Sequence, residues 1–139
     1  MTASLAQTEV GQPLSDHHAG PISRTVLALF AGASGDHNPM HIDIDFARRC
    51  GMDDVFAHGM LSMAYLAQLL TRLVPPERIR SYSVRFAAIT PVNARVRCTA
   101  PIVEQFEAQG ERRARLELAT QTDAGTTTLI GEAVIAIEA

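Results

Sequence analysis

The sequence has 139 residues, which is enough for one domain that buries its own core without a disulfide or a metal. Hydrophobic residues make up 47% and the formal net charge is −3, so a nucleic acid or an anionic membrane surface is not expected as the main partner. All 12 basic residues are arginines, and a mechanism that needs a lysine base or a lysine Schiff base is therefore excluded.

The N-terminal sequence contains no basic segment followed by an apolar run, and it predicts no signal peptide. Residues 1–9 are predicted to be a flexible N-terminus and residues 10–139 to form the folded domain. The longest apolar stretch, Met60–Val74, is shorter than the roughly 20 residues that cross a bilayer. Neither Cys50 nor Cys98 has a metal-binding spacing. We expect a cytoplasmic protein without membrane association.

The first half of the chain predicts one strand and two helices. Val10–Ala19 is interpreted as a short strand, and Ser23 as the N-cap of a helix over Thr25–Ala33. A turn-rich segment, Ser34–Asp45, comes next and holds most of the unusual chemistry. Asp45–Cys50 predicts one or two further helical turns before Gly51.

The second half predicts one long helix followed only by strands. Met60–Val74 is apolar almost all round, so this helix has to be covered on most sides. Apolar and polar residues then alternate, which is typical of antiparallel strands with one buried face. The four segments with this pattern are Tyr82–Phe86, Val92–Ile102, Ala114–Leu118 and Leu129–Ile137. We expect an α+β domain in which a curved antiparallel sheet wraps around one long central helix.

One turn carries a carboxylate and an imidazole, Asp36 and His41, on either side of Asn38-Pro39. Proline restricts both its own φ and the conformation of the residue before it, so the turn can hold the two side chains together with little freedom. A rigid acid/base pair of this kind suits proton transfer. The alternative is structural, because Asp36 and Asn38 are also ordinary turn formers.

A second motif, Ala57–Leu61, directly precedes the long helix. The free backbone N–H of Gly59 at the helix start could support an oxyanion. For His58 the favoured interpretation is a packed core histidine that bonds nearby backbone groups.

Metal ligands could also be sought in this region, from His37, His41, Asp43 and Asp45. The turn would have to direct all of these side chains to one point, and the close helical histidine pair of many zinc enzymes is missing. We therefore predict no metal and no cofactor.

Both motifs resemble those of a known family. Gly35–His41 is similar to the hydratase-2 motif of MaoC-type (R)-specific enoyl-CoA hydratases and acyl dehydratases, and Ala57–Leu61 is similar to the segment that opens their central helix. The resemblance extends from Val10 to Gly131–Ala133 and is strongest to the short, single-domain members, including the catalytic subunit of mycobacterial 3-hydroxyacyl-thioester dehydratases. It implies a single hot-dog fold.

The resemblance also implies roles for individual residues. Asp36 and His41 would jointly activate a water molecule for addition to a trans-2-enoyl thioester, which gives the (R)-3-hydroxyacyl thioester, or for the reverse dehydration. The backbone N–H of Gly59 would form the oxyanion hole. Asn38, Pro39 and His58 would support this arrangement.

The sequence leaves alternatives for the acyl-pocket residues, the carrier of the substrate and the oligomeric state. Met60, Met63 and Tyr65 are candidates for the acyl pocket, although each could equally belong to the core. The substrate would be carried by coenzyme A or by an acyl carrier protein. A hot-dog thioesterase is the alternative enzyme, but many of these place a carboxylate on the central helix and Met60–Val74 has none. A homodimer is favoured, because edge strands and an apolar helix need cover, and a heterodimer with a second hot-dog subunit is the alternative.

Overall fold

A computed structural model describes residues 5–137 of the chain. Its α-helices are α1 (Arg24–Ser34), α2 (Ile44–Arg49) and α3 (Gly59–Leu73). Short 3-10 turns occupy Leu5–Gln7, Pro39–His41 and Pro76–Arg78. The predicted helices are confirmed, with bounds that differ by one residue at each end.

Local capping explains where α1 begins and ends. The hydroxyl of Ser23 accepts a hydrogen bond from the backbone N–H of Val26 at 3.1 Å, as expected of an N-cap. Gly35 closes the helix with φ of 78°, a left-handed conformation that glycine adopts at little cost. The chain therefore leaves α1 abruptly at the residue before Asp36.

The strands are β1 (His17–Ala19), β2 (Ile79–Phe86), β3 (Val96–Thr99), β4 (Ile102–Ala108), β5 (Glu111–Thr122) and β6 (Thr127–Ala136). They form one antiparallel sheet in the order β1-β3-β5-β6-β2, with β4 also paired to β5. β3 and β4 thus share one side of the long strand β5, while β6 covers the other side. The sheet does not close into a barrel, and β2 lies at one edge.

Two strand predictions were wrong in detail. The segment predicted as one strand over Val92–Ile102 contains β3 and only the first residue of β4, so β4 was missed and, within the described residues, five strands rather than four follow α3. Pro101 has no N–H for a ladder hydrogen bond and separates β3 from β4, and Asn93 has a left-handed φ of 67°, which delays the start of β3. The first strand is also shorter than Val10–Ala19, because its ladder pairing begins only at His17.

The core lies between α3 and the concave face of the sheet. Leu61, Leu66, Leu69 and Leu70 of α3 are buried in it, as is Cys98 of β3. The opposite face of α3 is less well covered, and Met60 is 54% exposed. No helix within residues 5–137 is both long and apolar enough to cross a membrane.

The close contact between β2 and β6 predicts that adding one methyl group at Gly131 will strongly lower the free energy of unfolding. A Cβ at Gly131 would lie 2.1 Å from the carbonyl oxygen of Ser83 and 2.8 Å from the Cα of Val84, both backbone atoms of β2. We expect Gly131→Ala to lower the free energy of unfolding by at least about 2 kcal/mol, within the usual range for overpacking. Urea denaturation measures this change.

Gly32→Ala in α1 is the matched control, because a Cβ there meets nothing within 4 Å. Alanine should raise the free energy of unfolding by up to about 1 kcal/mol through its helix propensity. Equal denaturation midpoints for the two variants would contradict the packing described for Gly131.

Candidate active site

The turn between α1 and α2 has the local structure that the Asn-Pro pair predicts. Asn38 is extended, with φ of −56° and ψ of 121°, and its side chain accepts a hydrogen bond from the N–H of Met40 at 3.1 Å. The carboxylate of Asp36 accepts from the N–H of Asn38 at 3.2 Å. Pro39 opens the 3-10 turn that ends at His41. These contacts direct Asp36 and His41 to the same side of the turn.

The carboxylate and the imidazole face each other across a gap. Nε2 of His41 lies 3.9 Å from Oδ2 of Asp36, which is too long for a direct hydrogen bond but suits one water molecule bound by both. Nδ1 of His41 lies 2.7 Å from the carbonyl oxygen of Phe56. A carbonyl can only accept, so Nδ1 carries the proton and Nε2 presents its lone pair to the gap. His41 is thereby oriented as a base.

His58 lies directly behind this pair. Its ring stacks on that of His41 with centroids 3.9 Å apart and planes 27° apart, and its Nε2 lies 3.1 Å from the backbone carbonyl oxygen of Asp36. The side chain is buried, with 1% exposure, and burial is the main cause that lowers its pKa below the ordinary value. Its predicted packing in the core is therefore confirmed, and its contacts reach both residues of the pair.

The same three side chains are the group of described residues that could hold a metal, since each offers an atom within 4.8 Å of the others. The geometry does not favour this. Nε2 of His58 is bonded to the carbonyl of Asp36, and two stacked imidazoles direct their in-plane lone pairs side by side rather than to a common point. Asp36 and His41 would remain as two ligands.

The first turn of α3 provides backbone donors next to the pair. The N–H of Gly59 has no acceptor within residues 5–137, as expected at the start of a helix. A Cβ at Gly59 would lie 2.7 Å from Cε1 of Phe86, so glycine is what allows this ring to lie over the helix start. A carbonyl oxygen placed beside Gly59 would meet both the N–H and the positive end of the α3 dipole.

Two open depressions meet at Asp36 and Met60. The first has a volume of about 420 Å³, and it is lined by Asp36, Phe56, Ala57, Gly59, Met60 and the segment Phe86–Thr90. The second has a volume of about 470 Å³, and it is lined by Phe30, Ser34, Asp36, Met60, Met63, Ala64, Ala67 and Tyr82. Apolar side chains dominate both. Asp36 lines both depressions with its carboxylate half exposed, whereas His41 lines neither and is 8% exposed.

Among the three residues suggested for the acyl pocket, Met60 and Met63 line these depressions and Tyr65 lines neither. Tyr65 packs partly buried against the core.

The sequence did not single out Phe86, which was expected on the buried face of a strand and is instead 53% exposed. Strand alternation predicts the face of the sheet on which a residue lies. It does not predict that the residues packed over that face stop before the last residue of the strand.

Comparison with known proteins connects this site to a family. Residues 5–124 match the MaoC like domain. An (R)-specific enoyl-CoA hydratase of Rhodospirillum rubrum is 32% identical over 123 residues, which cover 87% of this chain and 83% of that protein. The 3-hydroxyacyl-thioester dehydratase Z of Mycobacterium tuberculosis is 34% identical over 107 residues, which cover 73% and 68% of the two chains.

Solved structures agree with the sequence comparison. An R-hydratase from Pseudomonas aeruginosa superimposes with a TM-score of 0.83 at 28% identity, over 96% of this chain and 85% of that one. An (R)-hydratase from A. caviae superimposes with a TM-score of 0.82 at 25% identity, over 95% and 98% of the two chains. The predicted hot-dog fold is thus confirmed, and the chain belongs to the MaoC-like domain family.

Proposed function

We propose that this protein is a hydro-lyase that adds water reversibly to trans-2-enoyl thioesters and forms (R)-3-hydroxyacyl thioesters. The gap of 3.9 Å between His41 Nε2 and Asp36 Oδ2, next to an apolar cleft that Asp36 lines, is the observation that carries the proposal. The relatives named as hydratase and dehydratase of acyl thioesters support the same reaction. Coenzyme A or an acyl carrier protein would carry the acyl group, and the chemistry calls for no cofactor.

In the hydration direction, His41 and Asp36 hold one water molecule between them. Nε2 of His41 accepts a proton as the water oxygen forms its bond to C3, and the electron pair of the double bond moves towards the thioester carbonyl. His41 then passes this proton to the carboxylate of Asp36, directly or through bound water, and Asp36 delivers it to C2 on the same face. The net result is the addition of one water molecule, with both protein groups restored.

The thioester carbonyl gains negative charge during this step. The N–H of Gly59 lies in the cleft without an acceptor among the described residues, and it is the donor that we assign to this oxygen. One such donor typically contributes about 2.7–4 kcal/mol to lowering the barrier. Asn38 and Pro39 contribute by holding the turn that bears the acid and the base.

This assignment orients the substrate across the two depressions. The carbonyl has to lie at Gly59, which lines only the first depression, so the thioester arm leaves past Phe86–Thr90. The acyl tail then continues beyond Asp36 into the second depression, over Met60 and Met63. The thioesterase alternative is disfavoured, because α3 carries no carboxylate with which to activate water at the carbonyl.

A hydration assay tests the proposal. Crotonyl-CoA and longer trans-2-enoyl-CoAs should lose their conjugated thioester absorbance and yield the (R)-3-hydroxy product on a chiral column. Asp36→Asn and His41→Ala should each lower kcat at least about 100-fold, a typical contribution of one positioned acid or base. Asp36→Asn should melt close to the unchanged protein, whereas His41→Ala should melt lower, because it removes a buried ring and its hydrogen bond to the carbonyl of Phe56.

Exposed neighbours of the same residue types provide the controls, and Asp45→Asn and His37→Gln should retain full activity. Release of free thiol instead of hydration would establish the thioesterase alternative. Full activity of the Asp36 or the His41 variant would rule out the mechanism.

We further propose that the protein acts as a homodimer. The outer edge of β2 has no partner strand in the described part of the chain, and an unpaired edge readily accepts a second chain. Exposed apolar side chains, Met60, Phe86 and Ile89, lie beside the cleft near this edge. A heterodimer with a second hot-dog chain is the alternative, and the ChsH1-ChsH2 complex of Mycobacterium tuberculosis shares this fold at 16% identity and a TM-score of 0.80.

Light scattering on the eluting peak of a sizing column measures the assembly. We expect twice the 15.0 kDa mass of one chain, because pairing satisfies the β2 edge and buries the apolar rim. A mass of one chain, together with activity that appears only when a second hot-dog polypeptide is added, would replace the homodimer with the heterodimer.

A further inference from the structure

His58 contacts both the acid and the base of the proposed mechanism without reaching the cleft. Its Nε2 lies 3.1 Å from the backbone carbonyl oxygen of Asp36, and its ring stacks on His41 at 3.9 Å. On another side it meets the ring of Phe30 edge-on, with centroids 4.9 Å apart. It is 1% exposed and the rings that it contacts are those of His41 and Phe30, so we place it outside the group that exchanges protons with a substrate.

The hydrogen bond determines the tautomer of His58. Because the carbonyl of Asp36 can only accept, Nε2 carries the proton and Nδ1 does not. Nδ1 is buried and has no hydrogen-bond partner within residues 5–137. A buried nitrogen without a partner is costly, and here it belongs to a side chain whose other nitrogen holds the backbone of Asp36.

Few other contacts restrain Asp36. Its carboxylate is half exposed and accepts one hydrogen bond, from the N–H of Asn38 within the same turn. Its own N–H donates to the hydroxyl of Ser34, which is also local. The bond from His58 joins Asp36 to the start of α3, 22 residues further along the chain. Without it, the Asp36 backbone would have only neighbours in its own loop to hold it.

We propose that His58 is a positioning residue that sets the separation between Asp36 and His41. Its N–H holds the acid through the backbone, and its ring holds the plane of the base. The role rests on the proposed hydration mechanism, and a displacement of about 1 Å can cost on the order of 100-fold in rate.

Three substitutions separate the hydrogen bond from packing. His58→Gln places an amide N–H close to where Nε2 lies, His58→Asn has a similar amide that falls one methylene short, and His58→Leu fills the space without a donor. We expect kcat to fall about 100-fold in the leucine and asparagine variants, with KM within about threefold of the unchanged protein. The kcat of His58→Gln should be at least about tenfold higher than that of the leucine and asparagine variants, because glutamine restores the hydrogen-bond donor but not the stacked ring.

His17→Gln is the matched control, because His17 is also a buried histidine with hydrogen bonds, to Gln68 and Arg72, and it lies in β1 away from the cleft. It should lower the melting temperature and leave kcat unchanged. If the leucine variant does not fold, the kcat values of the glutamine and asparagine variants still test whether the amide N–H has to reach the carbonyl of Asp36. Equal kcat for these two, or a loss seen only in KM, would overturn the role.

The outcomes also distinguish this inference from the proposed function. An unchanged protein that hydrates no enoyl thioester would refute the function, whereas an active protein with an equally active leucine variant would refute only the role of His58. A crystal structure of the asparagine variant gives a readout apart from activity. It should show Asp36 Oδ2 displaced from His41 Nε2, and an unchanged distance of 3.9 Å would count against the proposal.

Discussion

The hydrogen bond between His41 Nδ1 and the carbonyl of Phe56 is the interaction on which the site depends. It leaves Nε2 as the basic nitrogen, and it joins the turn that follows α1 to the segment that enters α3. That segment is held in turn, since the N–H of Phe56 donates to the carbonyl of Met40 and Phe56 forms a bridge with Pro91. The proposed base and the N–H of Gly59 are therefore held in place by contacts that all involve Phe56, although the chain between them is irregular.

The proposed catalytic groups have to work where water is partly displaced. The residues that line the cleft around Asp36 are mostly apolar, and an apolar surrounding strengthens the charge interactions that would develop during the proposed proton transfer. The same apolar side chains are exposed in the single chain, because the sheet is open and β2 has no outer partner within residues 5–137. The unpaired edge of β2 and these exposed side chains are what support the proposed homodimer.

Much of the fold could be predicted because its signals are local. Ser23 and Gly35 mark the ends of α1, and alternation identifies β5 and β6. The errors are local as well, since Pro101 and Asn93 interrupt a pattern that alternation alone reads as continuous. The exposure of Phe86 could not be predicted in this way, because it depends on where the cover of the sheet ends.

The sequence by itself determined the family and the α+β architecture, and it singled out Asp36 and His41 as candidates, since short motifs and side-chain periodicity carry that information along the chain. Only the tertiary structure decided which nitrogen of His41 faces Asp36 and what His58 contacts. Those features depend on hydrogen bonds to the carbonyls of Phe56 and Asp36, 15 and 22 residues away. Every residue has such a carbonyl, so no residue type in the sequence indicates which one will be the partner.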